Sequence, residues 1–293
     1  MNSMVQEDSY APLPRLAPRS AESHKGDYGR ALLIGGSRGM AGAIAMAGMA
    51  TLRSGAGLVR LAVGRTILDQ VAGFEPSYMT FPLDDDDQGR ILSAGSSPLH
   101  EQIESSDVVA CGPGMGRGFG PTELVAALYE SLAQPALFDA DALFALAKRP
   151  RLLVPQPGPR ILTPHPGEFA RLTRSPAGGD RAAMETRATR LAADAGCILV
   201  LKGHRTLITD GQQSFRNTTG NPGMATGGSG DILTGVVTGL LAQGMTPLDA
   251  ARLGVHVHGL AGDLATAELG QVSLIASDLL RFLPRAFLQL EQR

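Results

Sequence analysis

Tryptophan is missing from this chain of 293 residues, cysteine occurs twice and lysine three times. Two cysteines cannot make the framework that staples small secreted domains. Cys111 and Cys197 lie inside apolar, strand-like runs and suit a reducing cytoplasm. Charged residues are held to 18% and the net charge is −2, which excludes a basic nucleic-acid footprint. No uncharged apolar run reaches the roughly 18 residues that a membrane helix needs. The start, Met1 to Asp8, has no basic stretch followed by an apolar core, so no secretion signal is read there. Hydrophobic residues at 43% exclude a disordered chain. Two familiar phosphate motifs are absent as well. No G-x-x-x-x-G-K-S/T occurs, because Lys25, Lys148 and Lys202 are the only lysines. The run Cys111-Gly112-Pro113-Gly114-Met115-Gly116 departs from G-x-G-x-x-G, which weighs against a Rossmann cofactor domain.

Glycine is in excess, 37 residues, roughly twice the usual share. Such an excess often means backbone lying close to a ligand. Residues 1–24, with Pro12, Pro14 and Pro18, read as an extended or poorly ordered arm. Residues 25–293 show no internal repeat or linker and read as a single domain. Short runs rich in Val, Ile and Leu predict strands at Ala31–Ile34, Leu58–Val63, Asp107–Cys111, Ala136–Asp139, Arg160–Thr163 and Ile198–Leu201. Most lack polar alternation, so both faces should be buried. Helical patterns near 41–55, 122–133, 141–147 and 181–195 lie between them. This alternation predicts an α/β fold of three layers, α/β/α, around a mostly parallel sheet. Thr206–Thr209 and Ser214–Asn217, joined by Asp210-Gly211, predict a hairpin, and helices follow near 229–243, 247–267 and 276–290. The four carboxylates Asp84–Asp87 read as a solvated turn, not a metal site.

The strongest chemical signal is Asn221-Pro222-Gly223-Met224-Ala225-Thr226-Gly227-Gly228-Ser229-Gly230-Asp231, directly before an apolar helix. Gly228 and Gly230 free the backbone to aim N–H groups at one point, and a helix N-terminus adds unpaired donors. Together these suit a phosphate. Asp231, in the first turn, stands where a carboxylate accepts the proton of an attacking hydroxyl, or merely complements the helix dipole behind a tight glycine turn. Thr163-Pro164-His165-Pro166-Gly167-Glu168 predicts a rigid loop aiming His165 from a strand end, as a site residue or as a structural cap. Lys202-Gly203-His204-Arg205-Thr206 also ends a strand, and is a phosphate-holding loop or an ordinary solvated turn. Gly35–Ala43 joins the first strand to a helix of small residues, exposing backbone to a flat ligand or allowing close packing. His256 and His258, two apart on a helix, point to different faces and make a poor metal pair.

These residues resemble the NAD(P)H-hydrate dehydratases of the ribokinase-like superfamily. The shared pieces are His24–Gly29, Gly35–Ala43, Cys111–Gly116, Asp139–Leu143, Thr163–Glu168, Lys202-Gly203 and Gly220–Asp231, in family order over about residues 24–285. The resemblance implies a stand-alone, ADP-dependent dehydratase acting on the S epimer of hydrated NADH or NADPH, with AMP and phosphate released. It implies Ala43, Gly114, His165 and Asp231 at the hydrated dinucleotide. It puts Lys202, Gly203, His204, Arg205, Thr206 and Gly230 at the adenine nucleotide, and makes Asp231, Gly228 and Gly230 the catalytic group. It brings a Mg2+ ion with the nucleotide, without assigning its ligands. A cytoplasmic homo-oligomer, a tetramer, is implied too. Two other readings stay open on the residues: a ribokinase-like kinase for a small alcohol or vitamin precursor, and a non-catalytic nucleotide-binding sensor.

Overall fold

The computed structural model describes residues 6–7, 11–92, 97–176 and 179–292. Among these residues ten strands form one sheet: β1 (Gln6–Glu7), β2 (Arg30–Ile34), β3 (Leu58–Gly64), β4 (Met79–Leu83), β5 (Val108–Cys111), β6 (Ala136–Phe138), β7 (Arg160–Leu162), β8 (Ile198–Leu201), β9 (Leu207–Thr209) and β10 (Gln213–Arg216). Their order is β1-β10-β9-β8-β7-β6-β5-β2-β3-β4, and every pair is parallel except those of β9 with β8 and β10.

Among the described residues ten helices cover the two faces: α1 (Ala41–Arg53), α2 (Leu68–Ala72), α3 (Ser97–Glu104), α4 (Phe119–Ser131), α5 (Asp141–Ala147), α6 (Pro166–Thr173), α7 (Arg181–Ala195), α8 (Ser229–Ala242), α9 (Pro247–Leu269) and α10 (Ala276–Glu291). Successive strand residues point to opposite faces, so the unbroken apolar runs feed two cores. Leu33, Val63, Leu137 and Val200 pack with α1, α8, α9 and α10 through Ile44, Val236, Val257 and Leu279. Leu32, Val109, Phe138 and Leu199 pack with α4, α5, α6 and α7 through Leu124, Leu143, Phe169 and Ala188. Each fully buried Leu or Ile contributes about 2 kcal/mol by leaving water. The three-layer expectation is borne out.

All six predicted core strands and the hairpin are present, with ends moved by a residue or two. Asp107, Asp139 and Thr163 fall just outside their strands. Four elements are additional to the sequence reading on the main body: β4, α2, α3 and α6. β4 is an edge strand with Pro82 in it, a position where a missing N–H costs little. β1 lies within residues 1–24 and pairs with β10. Farther along, Leu13 and Leu16 pack on the core, and Arg252 donates to the carbonyls of Ala11 and Pro12.

Helices α1 and α8 pack at close range through small residues. A Cβ on Gly235 would sit 2.1 Å from the Ala47 carbonyl oxygen, and one on Gly239 2.7 Å from that of Thr51. Elsewhere Arg160, 1% exposed, donates to the carbonyls of Tyr129 and Leu132 at the end of α4. The acidic run is a turn: Asp84 pairs with Arg65, Asp85 accepts from the Thr66 amide and Asp86 holds Arg90. Cys111 and Cys197 are buried thiols with no disulfide, and burial pushes both above the usual thiol range.

Candidate active site

Parallel strands deliver their following loops to one edge of the sheet, and the predicted residues gather there. The loop after β2 meets the loop after β5. Gly36 donates to the Pro113 carbonyl at 2.8 Å, and Ser37 Oγ to that of Gly114. Gly114 is in the left-handed region, at φ +59, and a Cβ on it would lie 2.9 Å from the Ala43 side chain. Ala43 and Gly114 are therefore neighbours, forming a wall of bare backbone and one methyl group.

The charged centre comes from three other strand ends. Lys202, after β8, places Nζ 2.8 Å from Asp139 Oδ1 and 3.9 Å from Glu168 Oε2. Asp139, 1% exposed, accepts a second bond from Thr234 Oγ1 of α8 at 2.9 Å. Burial opposes the Lys202 charge, but Asp139 and Glu168 outweigh it and hold the ammonium above its ordinary value. Gly230 belongs to this group: a Cβ there would lie 3.3 Å from Lys202 Nζ and 3.8 Å from Asp139 Oδ2.

Helix α8 starts beside the pair. Gly228 occupies the N-cap position with φ 93, and Asp231 lies in the first turn. The amides of Gly230 and Asp231 have no acceptor among the described hydrogen bonds, as expected of a helix start. Burial, followed by the negative charge of Asp139, lifts the Asp231 carboxyl to about 7, against the opposing pull of Lys202. Burial likewise lifts Glu168 to about 7. A carboxyl tuned this close to neutrality is suited to taking and returning a proton.

His165 needs a correction. The sequence reading puts it on a loop between prolines, but Pro166 opens helix α6 and His165 is its N-cap. Proline at the first helical position has no N–H to lose there, and Glu168 closes a capping box onto the His165 amide at 2.9 Å. His165 Nδ1 accepts from the amides of Gly167 and Glu168 at 3.0 and 3.4 Å, which puts the ring hydrogen on Nε2. Burial and then Lys202 lower its pKa, so the ring is neutral and offers a donor to the site edge.

The loop after β8 is divided. Lys202 joins the centre, while Gly203, His204 and Arg205 are exposed. Arg205 has φ 53, and Thr206 closes the turn onto the Gly203 carbonyl. Arg181 holds this loop from below, donating to the carbonyls of Leu201 and Lys202. Sequence reasoning assigned no role to Asp139, Glu168, Thr234 or Arg181. Asp139 and Glu168 stood inside motifs already singled out; Thr234 and Arg181 had no local signal. Concavity is no guide either, since a cavity of about 870 Å³ lies at the far end of the sheet, between residues 12–19 and the C-terminal ends of α1 and α10.

Known proteins resemble this chain along most of its length. A family model described as NAD(P)H-hydrate dehydratase matches residues 31–285. The chain is 45% identical over 282 residues to the bifunctional NAD(P)H-hydrate repair enzyme Nnr of Moorella thermoacetica, covering 96% of this chain and 52% of that protein. With the Nnr of Escherichia coli it shares 38% over 276 residues, 92% of this chain and 50% of the relative. The chain thus spans about half the length of these curated relatives. Among solved structures, the ADP/ATP-dependent NAD(P)H-hydrate dehydratase from Bacillus subtilis, co-crystallised with ATP/Mg2+, superimposes with a TM-score of 0.79 at 31% identity, covering 94% of each chain. A ribokinase-like superfamily protein from Enterococcus faecalis gives 0.80 at 29% identity, covering 94% of this chain and 92% of that one. The fold is ribokinase-like, and the chain belongs to the NAD(P)H-hydrate dehydratase family.

Proposed function

We propose that this protein carries out the ADP-dependent dehydration of the S epimer of hydrated NADH or NADPH, restoring the dinucleotide and releasing AMP and phosphate. The observation that carries the mechanism is the Asp231 carboxyl, lifted to about 7 beside the unpaired amides of the α8 start. Ala43, Gly114 and the Nε2–H of His165 would receive the hydrated dinucleotide. Lys202, Gly203, His204, Arg205 and Thr206, with Gly230, would receive the adenine nucleotide.

A ring hydroxyl is a poor leaving group at neutral pH. Asp231 takes its proton as the oxygen attacks the β-phosphorus of ADP, and AMP departs. The amides about Gly228, Gly230 and Asp231 stabilise charge on the moving phosphoryl group. The C6–O bond then breaks with its electrons going to phosphate, pushed out by the ring nitrogen's lone pair. Loss of the C5 proton to the released phosphate or to water restores the C5–C6 double bond. The net reaction is that of a lyase.

Three carboxyls, Asp139, Glu168 and Asp231, stand around one lysine, and two of them are pushed up towards neutrality. That excess of negative charge fits a nucleotide that brings a cation with it. Among the described residues no three His, Cys, Asp or Glu side chains are grouped to hold a metal alone, which fits a Mg2+ ion bound largely by phosphate and water. Glu168 and Asp231 are the carboxylates such an ion would meet, and when bound it neutralises charge on the transferring group. No helix among the described residues is long and apolar enough to cross a membrane. The proposal includes a cytoplasmic homotetramer, which sedimentation of the purified chain would test.

The deciding experiment incubates the purified protein with hydrated NADH, Mg2+ and ADP, with an ATP arm alongside, and follows the absorbance of restored NADH. Appearance of NADH with matching AMP supports the reading. Accumulation of a stable phosphate ester would favour a kinase, and no turnover would favour a sensor.

A further inference from the structure

The glycines that open the α8 start to a phosphate also deprive it of anchors. Gly227, Gly228 and Gly230 have no side chains with which to fix the turn, and a Cβ on Gly227 would meet nothing within 4 Å. The anchoring comes from α9, which runs alongside. Thr219 Oγ1 donates to the His256 carbonyl at 2.8 Å, and Asp263 accepts from the Gly220 amide and from Asn221 Nδ2, each at 2.9 Å. Thr266 Oγ1 donates to Asn221 Oδ1 at 2.8 Å. These bonds fasten the start of the segment that runs from Thr219 to Asp231. Its other end is fastened once from the same helix: His258 Nε2 lies 2.9 Å from the Ser229 carbonyl oxygen and 3.3 Å from Ser229 Oγ.

A carbonyl only accepts, so His258 Nε2 carries the hydrogen. Burial lowers this imidazole to about 4, which keeps it neutral over the working range. No step of the proposed reaction uses the ring.

We propose that His258 is a positioning residue for phosphoryl transfer, its Nε2–H holding the Ser229 carbonyl so that the following amides and the Asp231 carboxylate face the reacting phosphorus. The inference rests on the proposed reading of the Gly227–Asp231 turn. Misplacement of a reacting group by about 1 Å costs on the order of a hundredfold in rate. Three of the five residues from Gly227 to Asp231 are glycines, so few side chains along the turn can resist such a shift.

The test compares His258→Phe, which keeps a ring without the donor, with His258→Gln, whose Nε2 can reach the same carbonyl. Turnover of hydrated NADH with ADP, AMP affinity by calorimetry and Tm are measured for both. In the Phe variant kcat per folded molecule should fall about 30- to 100-fold with AMP affinity within about threefold, and the Gln variant should return to within about fivefold of wild type. A purely structural histidine would lower Tm and leave kcat per folded molecule unchanged. Turnover of the Phe variant within threefold of wild type would overturn the inference, as would equal impairment of Gln and Phe variants of equal Tm. Should the Phe variant not fold, His258→Met takes its place in the same comparison. A wild-type protein that does not turn over hydrated NADH would overturn the site reading and this inference together; an active wild type with an unaffected Phe variant overturns only the inference.

Discussion

Replacing Asp231 with Asn should abolish turnover and, at alkaline pH, make the protein more stable. The carboxyl is lifted from its ordinary 3.8 to about 7, chiefly by burial and then by the charge of Asp139. At about 1.4 kcal/mol per tenfold, the ceiling on the cost of ionising it in the folded state is about 4 kcal/mol. Residual solvent at the site rim and relief of the neighbouring Glu168 reduce this, and we expect about 1 to 2 kcal/mol. The sign follows from proton binding. Between 3.8 and about 7 the folded state keeps a proton that the unfolded state has lost, so stability falls as pH rises through that window. An amide of the same shape escapes the loss. Asp231→Asn should therefore melt about 2 to 3 °C above wild type at pH 8, with the gain vanishing towards pH 4. Its kcat should fall at least a hundredfold, the usual worth of a positioned general base, while AMP affinity stays within about tenfold. Scanning calorimetry from pH 4 to 8.5 and steady-state turnover are the assays. A gain independent of pH would refute the electrostatic account, and turnover within a few-fold of wild type would remove Asp231 as the base.

Wild-type kcat/KM should rise between pH 6 and 8 as the coupled Asp231 and Glu168 carboxyls ionise, and a flat profile over that range would contradict the account. His165→Ala should weaken the hydrated dinucleotide more than AMP and cost about 1 kcal/mol of stability through the lost N-cap; equal affinity losses by calorimetry would dissolve the division of the site. Lys202→Met strands the fully buried Asp139 without its cation and should destabilise by about 3 to 5 kcal/mol in urea titration, so a loss under 1 kcal/mol would show that the pair is not a structural hinge of the centre. Gly230→Ala should fold with the Lys202 ammonium displaced by a few tenths of an ångström to admit a methyl 3.3 Å from Nζ, yet weaken AMP at least tenfold; unchanged affinity would place the phosphates elsewhere.

What the sequence disclosed depended on how far apart the cooperating residues stand. The glycine turn, its aspartate and the following helix are contiguous and legible as one unit. The buried strands announced themselves because Val, Ile and Leu at consecutive positions satisfy two cores at once. Lys202 and Asp139 are 63 residues apart, and Asp139 and Thr234 are 95 apart, so no local pattern joins them. Residues 165–168 carried a readable helix start, proline at the first position and glutamate at the third, but the two prolines flanking His165 read as loop. β4 was hidden for the opposite reason, as an edge strand with a proline and exposed Met79 has little of the apolar signature.

The interlock of Gly235 and Gly239 with the backbone of α1 acts as a spacer gauge. The same two helices carry, at their front ends, the Gly35–Ala43 loop and the Gly228–Asp231 turn, so the proposed ledge for the dinucleotide and the proposed base would be set apart by contacts made well behind them. A methyl group at Gly235 would strike the Ala47 carbonyl and wedge the pair open from the rear. Tolerance for bulk along the buried seam of α1 and α8 is therefore almost nil, although the seam touches neither proposed ligand.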